Sequence, residues 1–426
     1  MSYLIRPLQR LSLRGWSILL FSVLPAAAQN QSFALRDGDT VVFYGDSITA
    51  QHLYTRYAEE FVLTRYPKLH IRFLNAGVPG DTTYGGYAGT TAERIQKDVV
   101  PFKPTMITVM LGMNDGGYVP ESAEIDAVFQ KGYRILIDSL GKATPNAAMT
   151  LICPSPYDEI THGTEFPGYS QVIEKNSEDV RQIADSLVKS GDRKVLLADF
   201  HRPLTNALQS AMAQFPQLAS LLIPDRIHPM EASHWIMTAT LLSAWHVDPV
   251  VSRLVIDSKN ARIKEKQRTA VTNIAKTKTG LQWTQTDEAL PLPIDLNNAM
   301  TPVLLAVSHF ADEDQLTLQI DSLDPGNYTL LIDGKSIATL SQSELGHGVN
   351  LALYKTPMLD QARDIDWSEE RRAYLDQARF ILSAEVKQPS SYASSQVQIR
   401  QASDELDAAI RLKLDPKPHH FELRHE

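Results

Sequence analysis

The sequence holds one cysteine in 426 residues, Cys153, so no disulfide can close within the chain and its stability must rest on an apolar core. Cys153 itself lies in the apolar stretch AMTLICPSPYD and reads as a small buried hydrophobe. Long hydrophobic runs are also scarce: WSILLFSVLP near the N-terminus is ten residues, about half of the roughly 20 that a membrane-spanning helix requires. Positive charge is in deficit, with 41 Lys and Arg against 50 Asp and Glu and a formal charge of -9. That balance disfavours nucleic acid and anionic membrane surfaces as partners. There is no internal repeat, no low-complexity tract and no sharp linker. What remains is ordinary globular composition, 43% hydrophobic and 21% charged, in a chain long enough for more than one compact unit.

Residues 1–28 stand apart. Arg6, Arg10 and Arg14 precede the short apolar run and Ala26, Ala27 and Ala28 follow it, the three-part pattern of a secretory signal peptide. Cleavage is expected after Ala28, with an uncleaved anchor as the alternative. Loss of the three arginines takes the formal charge to -12. A soluble extracytoplasmic protein, periplasmic or secreted, is the expectation.

From residue 39 to about 250, the short apolar runs TVVFYG, LHIRFLNAG, MITVMLG, AMTLICP and KVLLADF alternate with segments of helical period. Runs apolar at consecutive positions suit strands covered on both faces, so a parallel sheet with crossover helices is predicted over 29–254. Beyond residue 255 the texture changes. QLTLQID, NYTLLIDG and SIATLSQ, separated by DPGN and DGK, predict a small antiparallel β unit over about 265–355. A helical segment with mixed charge is predicted over about 356–426. Trp283 and Tyr328 in this C-terminal extension fit a carbohydrate-binding face, a cleft wall or a scaffold, and the lack of a linker favours the latter two.

In open α/β sheets, functional groups collect where strands run out into helices. The strand exits here carry GDSI, NAGVPGDTT and LGMND, and DRIHP precedes the helical pattern ASHWIMTATLLSAW. Acyl transfer by a hydroxyl needs a base to take its proton, an acid to orient that base, and donors for the oxyanion. Each role has one candidate. Ser47 follows a tight turn at a helix start, where its own N–H is free to donate. Asp225 precedes His228 by three residues, a spacing at which a carboxylate reaches one imidazole nitrogen while the other faces the serine. The Gly77 N–H and the Asn114 amide complete the oxyanion donors. Ordinary roles stand beside these: an N-cap for Ser47, a structural or solvated His228, an Asp225 that pairs with Arg226, a turn glycine and an Asn cap.

Together, GDSI with Ser47, NAGVPGDT with Gly77, GMND with Asn114 and DRIHP with Asp225 and His228 resemble the four blocks of the SGNH or GDSL-like hydrolase family, in that family's order, over about residues 39–250. Ile48 stands where the family name has leucine and keeps an apolar anchor behind the serine. The resemblance implies a flavodoxin-like three-layer α/β/α sandwich and an esterase or acylhydrolase. It also implies Ser47 as nucleophile, His228 as base, Asp225 as its orienter, and an oxyanion hole from Ser47, Gly77 and Asn114. No metal or organic cofactor is required by that chemistry.

A competing idea comes from Asp46, Asp81 and Asp115, carboxylates at neighbouring strand exits that could bind a divalent metal for phosphoester hydrolysis, although capping and turn roles explain each. Export and acidity point to a soluble polar ester. Exported members of the resembled family often remove acetyl groups from polysaccharides, and Tyr84, Tyr87 and Tyr157 follow strand exits where they could stack on sugar rings or pack as core. The expected partner is therefore a small-molecule or polysaccharide ester, with no nucleic acid and no stable membrane insertion. A lipase for longer acyl chains and a non-catalytic glycan-binding protein on the same fold are the alternatives. Oligomeric state is left open.

Overall fold

The computed structural model describes residues 32–163, 165–191, 194–385 and 389–426. The predicted signal peptide, residues 1–28, lies outside the described residues. Phe33–Glu426 forms one compact unit.

Its first part alternates strand and helix. In chain order come β1 (Thr40–Gly45), the single turn α1 (Ser47–Ala50), α2 (Leu53–Arg65), β2 (Arg72–Gly77), a two-rung hairpin of β3 (Gly85–Gly86) and β4 (Gly89–Thr90), and α3 (Thr91–Asp98). Then follow β5 (Met106–Met110), α4 (Ala123–Ala143), β6 (Ala148–Cys153), α5 (Tyr169–Ser190), β7 (Val195–Asp199), α6 (His201–Gln214) and α7 (Glu231–Ala244). The five long strands form one parallel sheet in the order β2-β1-β5-β6-β7. All five coincide with the consecutive-apolar runs, because strands in the middle layer bury both faces. Val41 and Phe43 of β1 face a core shared with α2, α6 and α7, while Val42 and Tyr44 face the one shared with α3, α4 and the end of α5. Cys153 is buried in the second core. Each such buried Val, Leu or Phe contributes roughly 1.5–3 kcal/mol. The result is a three-layer α/β/α sandwich.

Register decides where the site lies. Gly45, the last residue of β1, pairs with Gly77 ending β2 and with Met110 ending β5. The three strands stop level, so the loops that carry Ser47, Gly80 and Asn114 leave the sheet at one edge.

The C-terminal part contains β8 (Val250–Asp257), β9 (Arg262–Gln267), β10 (Thr269–Lys276), β11 (Gly280–Asp287), α8 (Thr301–Val307), β12 (Gln315–Asp321), β13 (Asn327–Ile332), β14 (Lys335–Ser341), α9 (Gln342–His347), β15 (Val349–Asn350), α10 (Pro357–Glu385), α11 (Pro389–Arg411) and β16 (His419–His425). Two sheets result, β10-β11-β16-β13-β14 and β15-β12-β8-β9, antiparallel except for the β8–β12 pair. The end of the chain, read from sequence as part of a helical segment, is instead a strand inserted between β11 and β13. Phe421 and Leu423 alternate with polar residues there and bury on one face. Trp283 is wholly buried and stacked on Phe421, with ring centroids 5.1 Å apart, and Tyr328 is buried as well. Neither ring offers a sugar-binding face.

The two parts are joined along α2. The Arg65 guanidinium at its end is buried, donates to Asp314 at 2.7 Å and to the Asp248 carbonyl at 2.8 Å, while Arg268 donates back to the Arg65 carbonyl at 2.7 Å. Further along, Arg372 of α10 pairs with Glu59, and Arg56 reaches Asp366 at 3.3 Å. Burial pushes the Asp314 carboxyl up to about 6 even though Arg65 opposes it. Asp314→Ala would leave Arg65 buried with its charge unpaired and is expected to lower the unfolding free energy by about 3–5 kcal/mol. Urea denaturation of Asp314→Ala beside the double variant Arg65→Met/Asp314→Leu checks this. The double variant should recover much of the loss, and a single variant within about 1 kcal/mol of wild type would show the pair to be dispensable.

Candidate active site

Asp46 ends the turn after β1 and caps α1, its Oδ1 accepting the Ile48 N–H at 3.0 Å. Ser47 is thereby the first helical residue, and its N–H, like those of any helix start, has no partner within the helix. Its Oγ lies 2.9 Å from His228 Nε2. On the other side of the ring, Nδ1 lies 2.6 Å from Asp225 Oδ2. The second carboxylate oxygen of Asp225 accepts the N–H groups of Ile227 at 3.0 Å and His228 at 2.7 Å, a side-chain-closed turn of the kind aspartate favours.

That turn forces Arg226 into the left-handed region at φ 69, a conformation that costs a non-glycine residue roughly 1–3 kcal/mol unless its surroundings hold it. They do. Its guanidinium donates to the Gly163 carbonyl at 2.8 Å and to Glu165 at 2.9 Å, and its carbonyl accepts the Asp158 N–H at 2.9 Å. Asp158 is buried and itself accepts from Ile160, Thr161 and the Thr161 hydroxyl. The loop after β6 is thus tied to the loop that carries His228.

Burial works to raise the Asp225 carboxyl, but the backbone N–H of His228, its ring and the Ile227 N–H outweigh it and hold the group below the usual carboxylate range. Asp225 remains ionised opposite the ring. An ionised acceptor fixes the proton on Nδ1 and leaves Nε2 as the acceptor facing Ser47.

Asn114, four residues beyond β5, donates from Nδ2 to the Asp81 carbonyl at 3.0 Å and receives the Tyr118 hydroxyl on Oδ1 at 3.0 Å. With its oxygen engaged, the amide is locked in one orientation and keeps one N–H to give. Burial foremost, then the charges of Asp46 and Asp225, push the Tyr118 phenol up to about 12, so it stays a donor.

Gly77, expected as an oxyanion donor, is not available. Its N–H is taken by Asn75 Oδ1 at 2.9 Å, and Asn75 in turn donates to the Thr49 carbonyl at 2.7 Å and to Thr55 at 3.0 Å. A Cβ on Gly77 would come within 2.3 Å of the Ala50 N. The glycine is there because α1 packs directly onto the end of β2. Four residues on, Asp81 N donates to the Val78 carbonyl at 3.1 Å, closing a Val78-Pro79-Gly80-Asp81 turn with Gly80 at φ +73, the sign a type II turn needs at its third position. Gly80 is exposed, its N–H has no partner among the described residues, and it adjoins the carbonyl that receives Asn114. The PGD signal for that turn was present in the sequence. Choosing between two glycines three apart required knowing which one lay beneath α1.

The three acids weighed as metal ligands are each engaged otherwise. Asp46 caps α1, Asp81 pairs with buried Arg94, and Asp115 accepts from the N–H and hydroxyl of Thr83 at 2.8 and 2.7 Å. Tyr157, considered for sugar stacking, is buried at 2% exposure against the edge of Tyr169. Tyr84 and Tyr87 are exposed, and the Tyr84 hydroxyl donates to the Val128 carbonyl at 3.0 Å.

Comparison with known proteins gives three findings. Residues 43–236 match the model of the GDSL-like lipase/acylhydrolase family. An acetylxylan esterase of Geobacillus stearothermophilus is 25% identical over 228 residues, 48% of this chain and 93% of the relative. A solved gut microbial diltiazem-metabolizing enzyme superimposes with a TM-score of 0.78 at 23% identity, over 92% of this chain and 98% of its own, so the C-terminal sheets recur there with the sandwich.

Asp46 generates a pH-dependent expectation. Burial above all, with the charges of Asp115 and Asp81 adding to it, raises its carboxyl to about 7 against the opposing Ile48 N–H. A folded-state value above the unfolded one means the fold binds that proton more tightly, so the stabilising contribution is complete below pH 4 and is lost as pH rises through about 7. Asp46→Asn keeps an acceptor for Ile48 and does not titrate. Its melting temperature relative to wild type should therefore rise between pH 4 and pH 8, and a constant difference across that range would show that the carboxyl does not titrate there.

Proposed function

Residues 43–236 belong to the GDSL-like lipase/acylhydrolase family and make the chain a carboxylic ester hydrolase, and from that premise we propose that hydrolysis runs through Ser47, His228 and Asp225. The observation that supports this reading is the unbroken line Asp225 Oδ2, His228 Nδ1, His228 Nε2, Ser47 Oγ, with separations of 2.6 and 2.9 Å at its two ends. Ser47 Oγ attacks the ester carbonyl as His228 Nε2 takes its proton, and Asp225 steadies the imidazolium that forms. The alcohol leaves with that proton. Water, deprotonated by the same nitrogen, then attacks the acyl-Ser47 carbonyl and releases the acid, returning the proton to Ser47. The oxyanion is received by the Ser47 N–H and the free N–H of Asn114, with Gly80 as the third donor in place of Gly77.

The proposed substrate is a small acyl ester, an acetyl group on a carbohydrate or a comparable polar alcohol, acted on outside the cytoplasm. The acetylxylan esterase relative supports the acyl group, and the exposed Tyr84 and Tyr87 beyond β2 support a polar, ring-bearing alcohol portion. Among the described residues no helix is long and apolar enough to cross a membrane.

Hydrolysis of p-nitrophenyl esters from acetate to decanoate is the test. Ser47→Ala should abolish turnover while leaving the melting temperature near wild type, and near-normal turnover would remove the serine from the mechanism. Asn114→Ala should lower kcat by about two to three orders of magnitude if its amide receives the oxyanion, whereas a change confined to KM would make it a ground-state contact. Cleavage restricted to acetate supports the small-acyl substrate, and a preference for decanoate would replace it with a lipase.

A further inference from the structure

The nucleophile and the base lie 181 residues apart in sequence, and only one of them is on a regular element. Ser47 is on α1, a helix of one turn, and His228 is on a loop. Something must set the separation between the two.

Gln51 follows α1 and caps its C-terminal end, its N–H donating to the Ser47 carbonyl at 3.0 Å, and the next residue, His52, turns the chain away at φ 60. The Gln51 side chain turns towards the loop bearing the base. Its Nε2 donates to the carbonyl of Pro229, the residue after His228, at 3.3 Å, and its Oε1 meets His234 Nε2 at 3.1 Å. His234 is on α7, wholly buried, with its ring parallel to Tyr54 at 6.0 Å. Its other nitrogen, Nδ1, accepts the Tyr54 backbone N–H at 3.2 Å.

The polarity of this chain follows from its far end. A backbone N–H can only donate, so His234 Nδ1 must be the unprotonated nitrogen and Nε2 must carry the hydrogen. Nε2–H then donates to Gln51, which makes the facing amide atom the oxygen. The amide NH2 is left pointing at Pro229, a carbonyl that can only accept. One donor buried at the start of α2 therefore fixes a histidine tautomer, an amide orientation and the hold on the base loop in sequence. Burial holds the His234 imidazole down to about 3, so the tautomer persists at working pH and His234 is not a second base.

Resting on the triad reading above, we infer that Gln51 and His234 are positioning residues, a clamp that ties the Pro229 carbonyl to the turn carrying Ser47 and so sets the Ser47–His228 separation. Neither touches the reacting atoms in this arrangement. A misplacement of about 1 Å between reacting groups can cost about a hundredfold in rate, so the clamp acts on kcat rather than on binding.

The test uses Gln51→Leu, which removes both side-chain bonds at similar volume, His234→Phe, which keeps a ring against Tyr54 but neither bond, and the double variant, with Ser47→Ala alongside. With p-nitrophenyl acetate as substrate, and rates referred to folded protein by thermal melting, Gln51→Leu should lower kcat about 10- to 100-fold with KM within about threefold. Inactivation by phenylmethanesulfonyl fluoride, in which Ser47 Oγ bonds to sulfur and fluoride leaves, should slow by the same factor. Both changes cut one chain, so the double variant should lose no more than the worse single one. Losses that multiply, a loss carried in KM, or a wild-type kcat in Gln51→Leu would overturn the clamp. Turnover retained by Ser47→Ala would overturn the triad itself, a result distinct from failure of the clamp alone.

Discussion

The level ending of three parallel strands is the constraint on which the rest of this molecule depends. Gly45, Gly77 and Met110 are partners in register at the close of β1, β2 and β5, so whatever follows each strand emerges at one edge of the sheet. Ser47 is two residues past the first ending, Gly80 three past the second and Asn114 four past the third. Strands buried on both faces cannot slide without moving every side chain into the wrong core, and that rigidity passes to Ser47, which stands just past a strand end.

Around this fixed edge, the remaining groups are held by hydrogen bonds between loops. The loop carrying His228 is closed on itself through Asp225, held against the loop after β6 through Arg226 and tied to α1 through Gln51. Arg226 in a left-handed conformation is tolerated because three separate bonds hold it, and strain of this kind commonly accompanies functional loops. The C-terminal part contributes from a distance. It grips α2 through Arg65, Arg56 and Glu59, and α2 begins where the turn carrying the serine ends. A structural relation between the C-terminal sheets and the placement of Ser47 therefore runs along one helix.

Legibility in the sequence followed burial. The five central strands were visible because a strand covered on both faces reads as a nearly continuous apolar run. β16 was not, because only Phe421 and Leu423 of its seven residues bury apolar groups and the surrounding HHFELRHE is polar. A strand with so few apolar positions is recognisable only from the β11 and β13 edges that it fills. At the site, Ser47, Asn114, Asp225 and His228 carried distinctive side chains in short motifs. Gly77 and Gly80 carried no side chain, and although PGD marked Gly80 as a turn residue, nothing local showed that α1 would pack onto Gly77 and that the Gly77 N–H would be taken by Asn75. Gln51 and His234 were silent for a different reason: a glutamine after a helical turn and a histidine within an apolar helix are common, and their meaning lies in each other.

The sequence by itself determined the order of the five central strands and the helices between them, the residue types able to perform acyl transfer, and the places of Ser47 and Asn114 past strand ends and of Asp225 and His228 before a helix, since these follow from local periodicity and from side-chain chemistry. Only the tertiary structure decided which backbone N–H groups stayed free, which carboxylates were buried, and that the end of the chain closes a sheet. Each of those depends on a partner distant in sequence, and a hydrogen bond or a desolvated charge is defined by what lies across from it.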